Sequence, residues 1–235
     1  MRLSIISLLI INFFAVADSG LKLALEESLD ELMPKVIEWR HDIHQHPELA
    51  NREFRTSKKV ADHLISLGLE VETGIAYTGV VALIEGGSPG PTVAVRADMD
   101  ALPVTEKTGL PFASTVRTTY LGNDVGVMHA CGHDAHVSIL MGVAEFLVKN
   151  KDKLKGNVLL IFQPAEEGPP EDEGGGAKMM LEEGIFERYN PEAIFGLHVT
   201  NMPNGYIAIK PGPALAAASA YRITIKGIQT HGSTP

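Results

Sequence analysis

Apolar side chains recur at helical spacing from Leu21 to about Gln45, with Leu25, Leu29, Leu32, Val36 and Ile37 on one face. Pro34 is an irregularity in that run, and Pro47 stops it. The spacing predicts a second amphipathic helix over Thr56 to Leu67, ended by Gly68. Leu69 to Glu72 and Val80 to Glu85 read as strands with glycine-rich turns between and after them. Thr92 to Asp98 is a short apolar strand ending in acid, and Lys107 to Asn123, rich in Thr, Gly and Pro, reads as loop. A third helix follows Asp134, where Val137, Leu140, Met141, Ala144, Leu147 and Val148 share a face and Asp134 is the expected N-cap.

Asn157 to Phe162 is a strongly apolar strand that runs into Gln163-Pro164-Ala165-Glu166-Glu167-Gly168. After an acidic loop with a Gly174-Gly175-Gly176 run, Ala177 to Glu183 is helical and Gly184 closes it. That glycine run lacks the Gly-Lys-Ser/Thr ending of a phosphate loop. Ala193 to His198 and Tyr206 to Lys210 read as strands, Pro211-Gly212-Pro213 as a hinge, and Ala220 to Lys226 as a strand with Tyr221, Ile223 and Ile225 on one side. Short apolar strands alternating with amphipathic helices predict an α/β domain with a mostly parallel central sheet flanked by helices. In such sheets, sites form at the carboxyl ends of strands.

Charge narrows the partners. Across 235 residues the net charge is -9 and the pI about 5.5. Nucleic acid and anionic membranes both reward basic patches, so neither is an expected partner. Arg2, the apolar run Leu3 to Phe14 and the Ala15-Val16-Ala17 site form a cleavable export signal over residues 1–17. The mature chain is expected to start near Asp18, to be exported, and to have no membrane partner once the signal is removed. One cysteine excludes an internal disulfide framework.

That cysteine lies in His129-Ala130-Cys131-Gly132-His133-Asp134-Ala135-His136, where thiolate, imidazole and carboxylate crowd as a transition-metal site requires. Gly132 lets the chain turn Cys131 and His133 towards one point. The helix N-terminus that follows is expected to hold Cys131 as thiolate. Asp98 and Asp100, Glu166 and Glu167, and His198 all stand at predicted strand ends, the edge where this loop is expected to lie. Neighbouring residues in extended chain point to opposite sides, so one glutamate as ligand and the other as general base is the economical division. His41, His44 and His46 lack matching ligands and read as surface or capping residues.

Arg96 to Pro103, His129 to His136, Gln163 to Gly168 and Gly196-Leu197-His198 together resemble the metal-dependent amidohydrolase branch of the aminoacylase/carboxypeptidase family. The resemblance runs from about Leu29 to Pro235. It implies a catalytic domain holding two divalent ions, zinc or manganese, with Cys131, His133, Glu167 and His198 as ligands. It makes Glu166 the general base, Asp100 a carboxylate behind the ligands that orients the site, and Asp98 a residue of the rim or outer shell. Lys226 to Gly232 resembles the opening of the family's inserted α+β lid and dimerisation domain, in which His231 matches a histidine that stabilises the substrate carbonyl, often across a homodimer. Hence residues 18–212 are expected to be an incomplete catalytic domain and 213–235 the first strand of the lid. The implied activity is hydrolysis of the amide bond of small-molecule N-acyl amino acids such as hippurate. Family members run well beyond this length, so the chain resembles an N-terminal fragment that is inactive alone. Two other readings stand beside it: a non-catalytic, truncated metal-binding remnant, and a hydrolase with Cys131 as nucleophile.

Overall fold

The computed structural model describes residues 19–215, 221, 223, 224, 226–228 and 230–233. The expected export signal, residues 1–17, lies outside the described residues, as do Ala220, Arg222 and Ile225 of the expected final strand. Two compact units are distinguished, one ending at Val199 and the other starting at Thr200.

The first unit opens with helices α1 (Ser19–Gln45) and α2 (Phe54–Ser66) and strands β1 (Val71–Ile75), β2 (Gly79–Glu85) and β3 (Ser88–Asp98). A hairpin of β4 (Arg117–Tyr120) and β5 (Asn123–Gly126) precedes α3 (His133–Lys149) and β6 (Lys155–Gln163). Two short helices, α4 (Gly176–Glu182) and α5 (Ile185–Tyr189), lead to β7 (Ala193–Gly196). The main sheet has the order β1-β2-β6-β3-β7. β3 is parallel to β6 and β7, while β2 is antiparallel to both β6 and β1. Only β2 is therefore reversed, and the sheet is mostly parallel.

Successive strand residues face opposite sides, so a strand buried on both faces reads as an unbroken apolar run. On one face Val80, Ala82, Ile84, Leu160 and Phe162 pack with Ile43 of α1, Val60 and Leu64 of α2, and Val137, Leu140 and Met141 of α3. On the other face Val81, Ala94, Leu159 and Ile161 pack with Met180 of α4 and Ile185 of α5. Phe162 has no exposed surface. Truncating such a residue to alanine costs about 3–5 kcal/mol.

Several boundaries differ from the sequence expectation. Helix α2 begins at Phe54 because the Glu48 carboxylate accepts the Arg55 and Thr56 N–H groups, a cap from outside the helix. β1 begins only at Val71, because the Leu69 N–H still bonds to the Leu64 carbonyl as the chain leaves α2. The β4–β5 hairpin lies in the segment expected to be loop. β4 is exposed throughout, so it carries no apolar alternation, and an Arg117–Asp124 ion pair ties it to β5. In the second unit the expected strand Tyr206 to Lys210 is not formed, nor do the described residues of 220–226 form one. Alternation of side chains supplies a pattern, whereas a strand also needs a paired neighbour.

Candidate metal centre

Asp98 ends β3, Glu166 and Glu167 follow β6, and His198 follows β7, at the carboxyl edge of the parallel strands. Cys131 and His133 occupy the turn into α3. Gly132 between them has φ +86°, and a Cβ there would stand 2.1 Å from Val199 Cγ2, so any other residue strains the turn. The ligand-type atoms of Cys131, His133 and His198 lie within 4.8 Å of one another, as do those of His133, Glu166 and Glu167. His133 belongs to both groups.

Hydrogen bonds determine which of these atoms are open. His133 Nδ1 donates to the Asp100 carbonyl at 2.8 Å, and His198 Nδ1 to the Val199 carbonyl at 2.7 Å. Both rings therefore present Nε2, the arrangement that orients a metal-binding imidazole. His198 Nε2 stands 3.5 Å from Cys131 Sγ. His133 Nε2 is buried with no hydrogen-bond partner among the described residues. It faces Glu166 Oε2 at 3.8 Å and Glu167 Oε1 at 3.9 Å.

A third cluster, Asp98, His133 and His136, is equally close but closed. His136 Nδ1 donates to Asp98 Oδ1 at 2.6 Å, and His136 Nε2 accepts the Val199 N–H at 2.9 Å. Asp98 Oδ2 is taken by Arg96. Asp100 is likewise committed, its two oxygens accepting the Glu166 and Glu167 N–H groups at 3.0 Å each. These residues hold the site, while Cys131, His133, Glu166, Glu167 and His198 turn their ligand-type atoms towards one another, with His133 Nε2 left open among the described residues.

The electrostatics point the same way. Burial works to raise the Asp98 pKa, but the hydrogen bond from His136 and the charge of Arg96 outweigh it and hold the carboxyl down to about 2. Burial opposes a charge on His133, yet Asp100, Asp98 and Glu166 raise its pKa. Burial, then the hydrogen bond to Glu167 and the charges of Glu167, Glu166 and Asp98, push the Cys131 thiol up to about 12. This runs against the expectation of a thiolate held by the helix terminus, since burial first and the nearby carboxylates second favour the neutral thiol. A cation among those carboxylates inverts the sign and deprotonates a coordinating thiol. The orphaned His133 Nε2, the converging carboxylates and the sulfur and nitrogen donors fit a transition-metal site.

Further expectations are corrected. Of the two places expected for Asp98, rim or outer shell, its full burial and its bonds to His136 and Arg96 leave the outer shell. Asp134 is no N-cap: α3 starts at His133 behind Gly132, and the Asp134 carboxylate instead accepts bonds from His44 Nδ1 at 2.9 Å and Arg40 Nε at 3.2 Å. His44 is therefore no surface residue. It is buried, with its Nε2 3.1 Å from Glu106 Oε1. Glu166 and Glu167 are not in extended chain, because Ala165 has φ +49° and a turn follows, which brings both carboxylates to the same side of His133. His136 shares a helix face with His133 at i, i+3, a signal present in the sequence. His44 offered no such signal, being joined to α3 only by the fold. His231 lies in the second unit, where its Nδ1 accepts the Ser233 hydroxyl at 2.8 Å.

Residues 94–234 match the profile of peptidase family M20/M25/M40. Thermostable carboxypeptidase 1 of Saccharolobus solfataricus is 47% identical over 214 residues, which are 90% of this chain and 51% of that protein. The N-acetyl-L-cysteine deacetylase of Bacillus subtilis is 40% identical over 211 residues, 88% of this chain and 47% of that one. The crystal structure of a dinuclear metal-binding family M20 peptidase from Bacillus subtilis superimposes with a TM-score of 0.68 at 41% identity, covering 78% of this chain and 48% of that one. The chain thus spans about half the length of the curated relatives it matches. With a profile match over more than half its residues and a shared fold at this identity, the chain belongs to peptidase family M20/M25/M40.

Proposed function

We propose that this chain is the metal-binding part of an exported amidohydrolase that cleaves the amide bond of small N-acyl amino acids. The observation that carries the reading is the buried, unpartnered His133 Nε2 facing Glu166 and Glu167. The deacetylase and the dinuclear metal-binding peptidase among the relatives support the reaction class and the number of ions.

Cys131, His133, Glu167 and His198 would hold two divalent ions. Thiolate and imidazole donors favour zinc, and the carboxylates also admit manganese. Such ions, when bound, polarise an amide carbonyl and lower the pKa of water. Glu166 takes a proton from the attacking water, the carbon–nitrogen bond breaks, and Glu166 returns the proton to the departing amine. The Glu166 side chain is 38% exposed, so a substrate can reach it, whereas His133 is fully buried below. Asp100 keeps Glu166 and Glu167 in place through their amides, and Asp98 fixes the neighbouring His136. His231 is assigned to the substrate carbonyl, in a homodimer of the full-length protein. Residues 1–17 are assigned to export, which N-terminal sequencing of the secreted product checks by a start near Asp18.

The test is a panel of N-acyl amino acids on the purified full-length protein and its Glu166→Gln variant. The wild type should release free amino acid, and the variant should keep its metal while losing about 100-fold or more in kcat, since an amide cannot accept the proton. Metal loss in Glu166→Gln with turnover per bound ion unchanged would show that the two glutamates are exchanged.

A further inference from the structure

Glu53, at the entrance to α2, is a carboxylate with no exposed surface. Its Oε2 accepts the Thr78 hydroxyl at 2.6 Å, and its Oε1 accepts the Ala165 N–H at 2.8 Å. Ala165 immediately precedes Glu166 and has φ +49°, a left-handed conformation that a residue with a Cβ resists. The next two amides, of Glu166 and Glu167, are held by Asp100. Two buried carboxylates thus pin three consecutive N–H groups, and these set the direction in which both glutamate side chains leave the chain.

The far side of the turn is equally constrained. A Cβ on Gly176 would lie 2.9 Å from the Ala165 carbonyl oxygen, and one on Gly175 would lie 3.2 Å from Ala165 Cβ and 2.9 Å from Asn51 Oδ1. The glycine run that cannot be a phosphate loop therefore serves to let the chain close over Ala165. Burying a carboxylate is costly and a core position does not need one. At this place it supplies the one acceptor that the strained amide requires.

We propose that Glu53 is a positioning residue for Glu166 and Glu167, acting through the Ala165 amide and supported by Gly175 and Gly176. The proposal rests on the reading of Glu166 as base and Glu167 as ligand.

The experiment compares Glu53→Ala, Glu53→Gln and the core variant Leu64→Ala in the full-length protein, each at saturating metal. Leu64 is fully buried in α2, packs in the core and serves as the control for lost stability alone. Glu53→Ala should lower kcat by about 10–100-fold, the range for residues that orient a metal site. Its KM should stay within roughly threefold, since the effect lies in the reacting geometry. Glu53→Gln should restore most of kcat, because its amide oxygen still accepts the Ala165 N–H while the Thr78 hydroxyl turns to accept from the amide nitrogen. Leu64→Ala should lower the melting temperature and leave kcat unchanged. Should Glu53→Ala not fold, Glu53→Met fills similar space without an acceptor and takes its place. Equal kcat in the acceptor-free variant and Leu64→Ala, an equal loss in Glu53→Gln, or failure of both acceptor-free variants to fold would overturn the proposal. If the wild type hydrolyses no N-acyl amino acid, the functional reading fails and the positioning claim is decided by chelator competition. Glu53→Ala should then bind zinc about 10–100-fold more weakly than Leu64→Ala, and equal affinity overturns it.

Discussion

His133 divides its two nitrogens between structure and chemistry. Nδ1 is anchored on the Asp100 carbonyl, and Nε2 is buried facing carboxylates. Such residue types in such spacing were legible without a fold: a cysteine, a glycine and a histidine in a row, and acids at strand ends. What could not be read was which acids are free. Asp98 and His136 lie as close to His133 as the proposed ligands do, and Asp100 stands behind its Nδ1, yet hydrogen bonds to Arg96, Val199 and the Glu166 and Glu167 amides occupy them. Two predictions belong to this scale. Cys131→Ser should weaken zinc binding at least about tenfold, because losing a ligand costs no less than losing a residue that orients one. Isothermal titration checks it, and unchanged affinity would remove Cys131 from the ligand set. Gly132→Ala should destabilise the protein by about 1–3 kcal/mol through the left-handed backbone and the collision with Val199. Urea unfolding measures that loss, and an unchanged midpoint would contradict it.

At the scale of elements, α1, α2 and α3 followed from helical periodicity, and β2, β3 and β6 from apolar runs. The β4–β5 hairpin escaped because its strands are short and β4 is wholly exposed. The buried clamp between α1 and α3 also escaped, since His44 and Asp134 are separated by 90 residues. The hydrogen bond to Asp134 raises the His44 pKa; burial opposes it, and Glu106 adds to it. A histidine with a raised folded pKa gives stability that is fully present below its unfolded value, near 6.5, and lost as pH rises through the folded value. His129 acts in the opposite sense. Burial takes its pKa down to about 4, so its neutral ring, whose nitrogens have no hydrogen-bond partner among the described residues, costs stability as pH falls below the unfolded value. The difference between wild type and His44→Gln reads chiefly the clamp, with a smaller contribution from the His44 charge acting on His129. It should be about 3 kcal/mol near pH 6 and shrink as the pH rises past the folded pKa of His44. Urea unfolding across that range checks it, and a difference independent of pH would show that His44 is not charged between its two carboxylates.

At the scale of the whole molecule, a mostly parallel sheet between two helical layers brings three strand ends and one helix start to a single edge. That convergence was legible because the ligand-type residues follow the apolar strands directly. The behaviour of the described residues after Val199 was not, because an alternating pattern such as Ile207 and Ile209 says nothing of its partner. Chelation followed by metal restoration tests the metal-dependent hydrolysis of N-acyl amino acids most directly. Turnover of an N-acetyl amino acid by the purified full-length protein should vanish as divalent metal is removed and return on adding zinc or manganese, with two ions bound per chain at full activity. Turnover that survives complete metal removal and is instead abolished by alkylation of Cys131 would contradict the account and establish a thiol nucleophile.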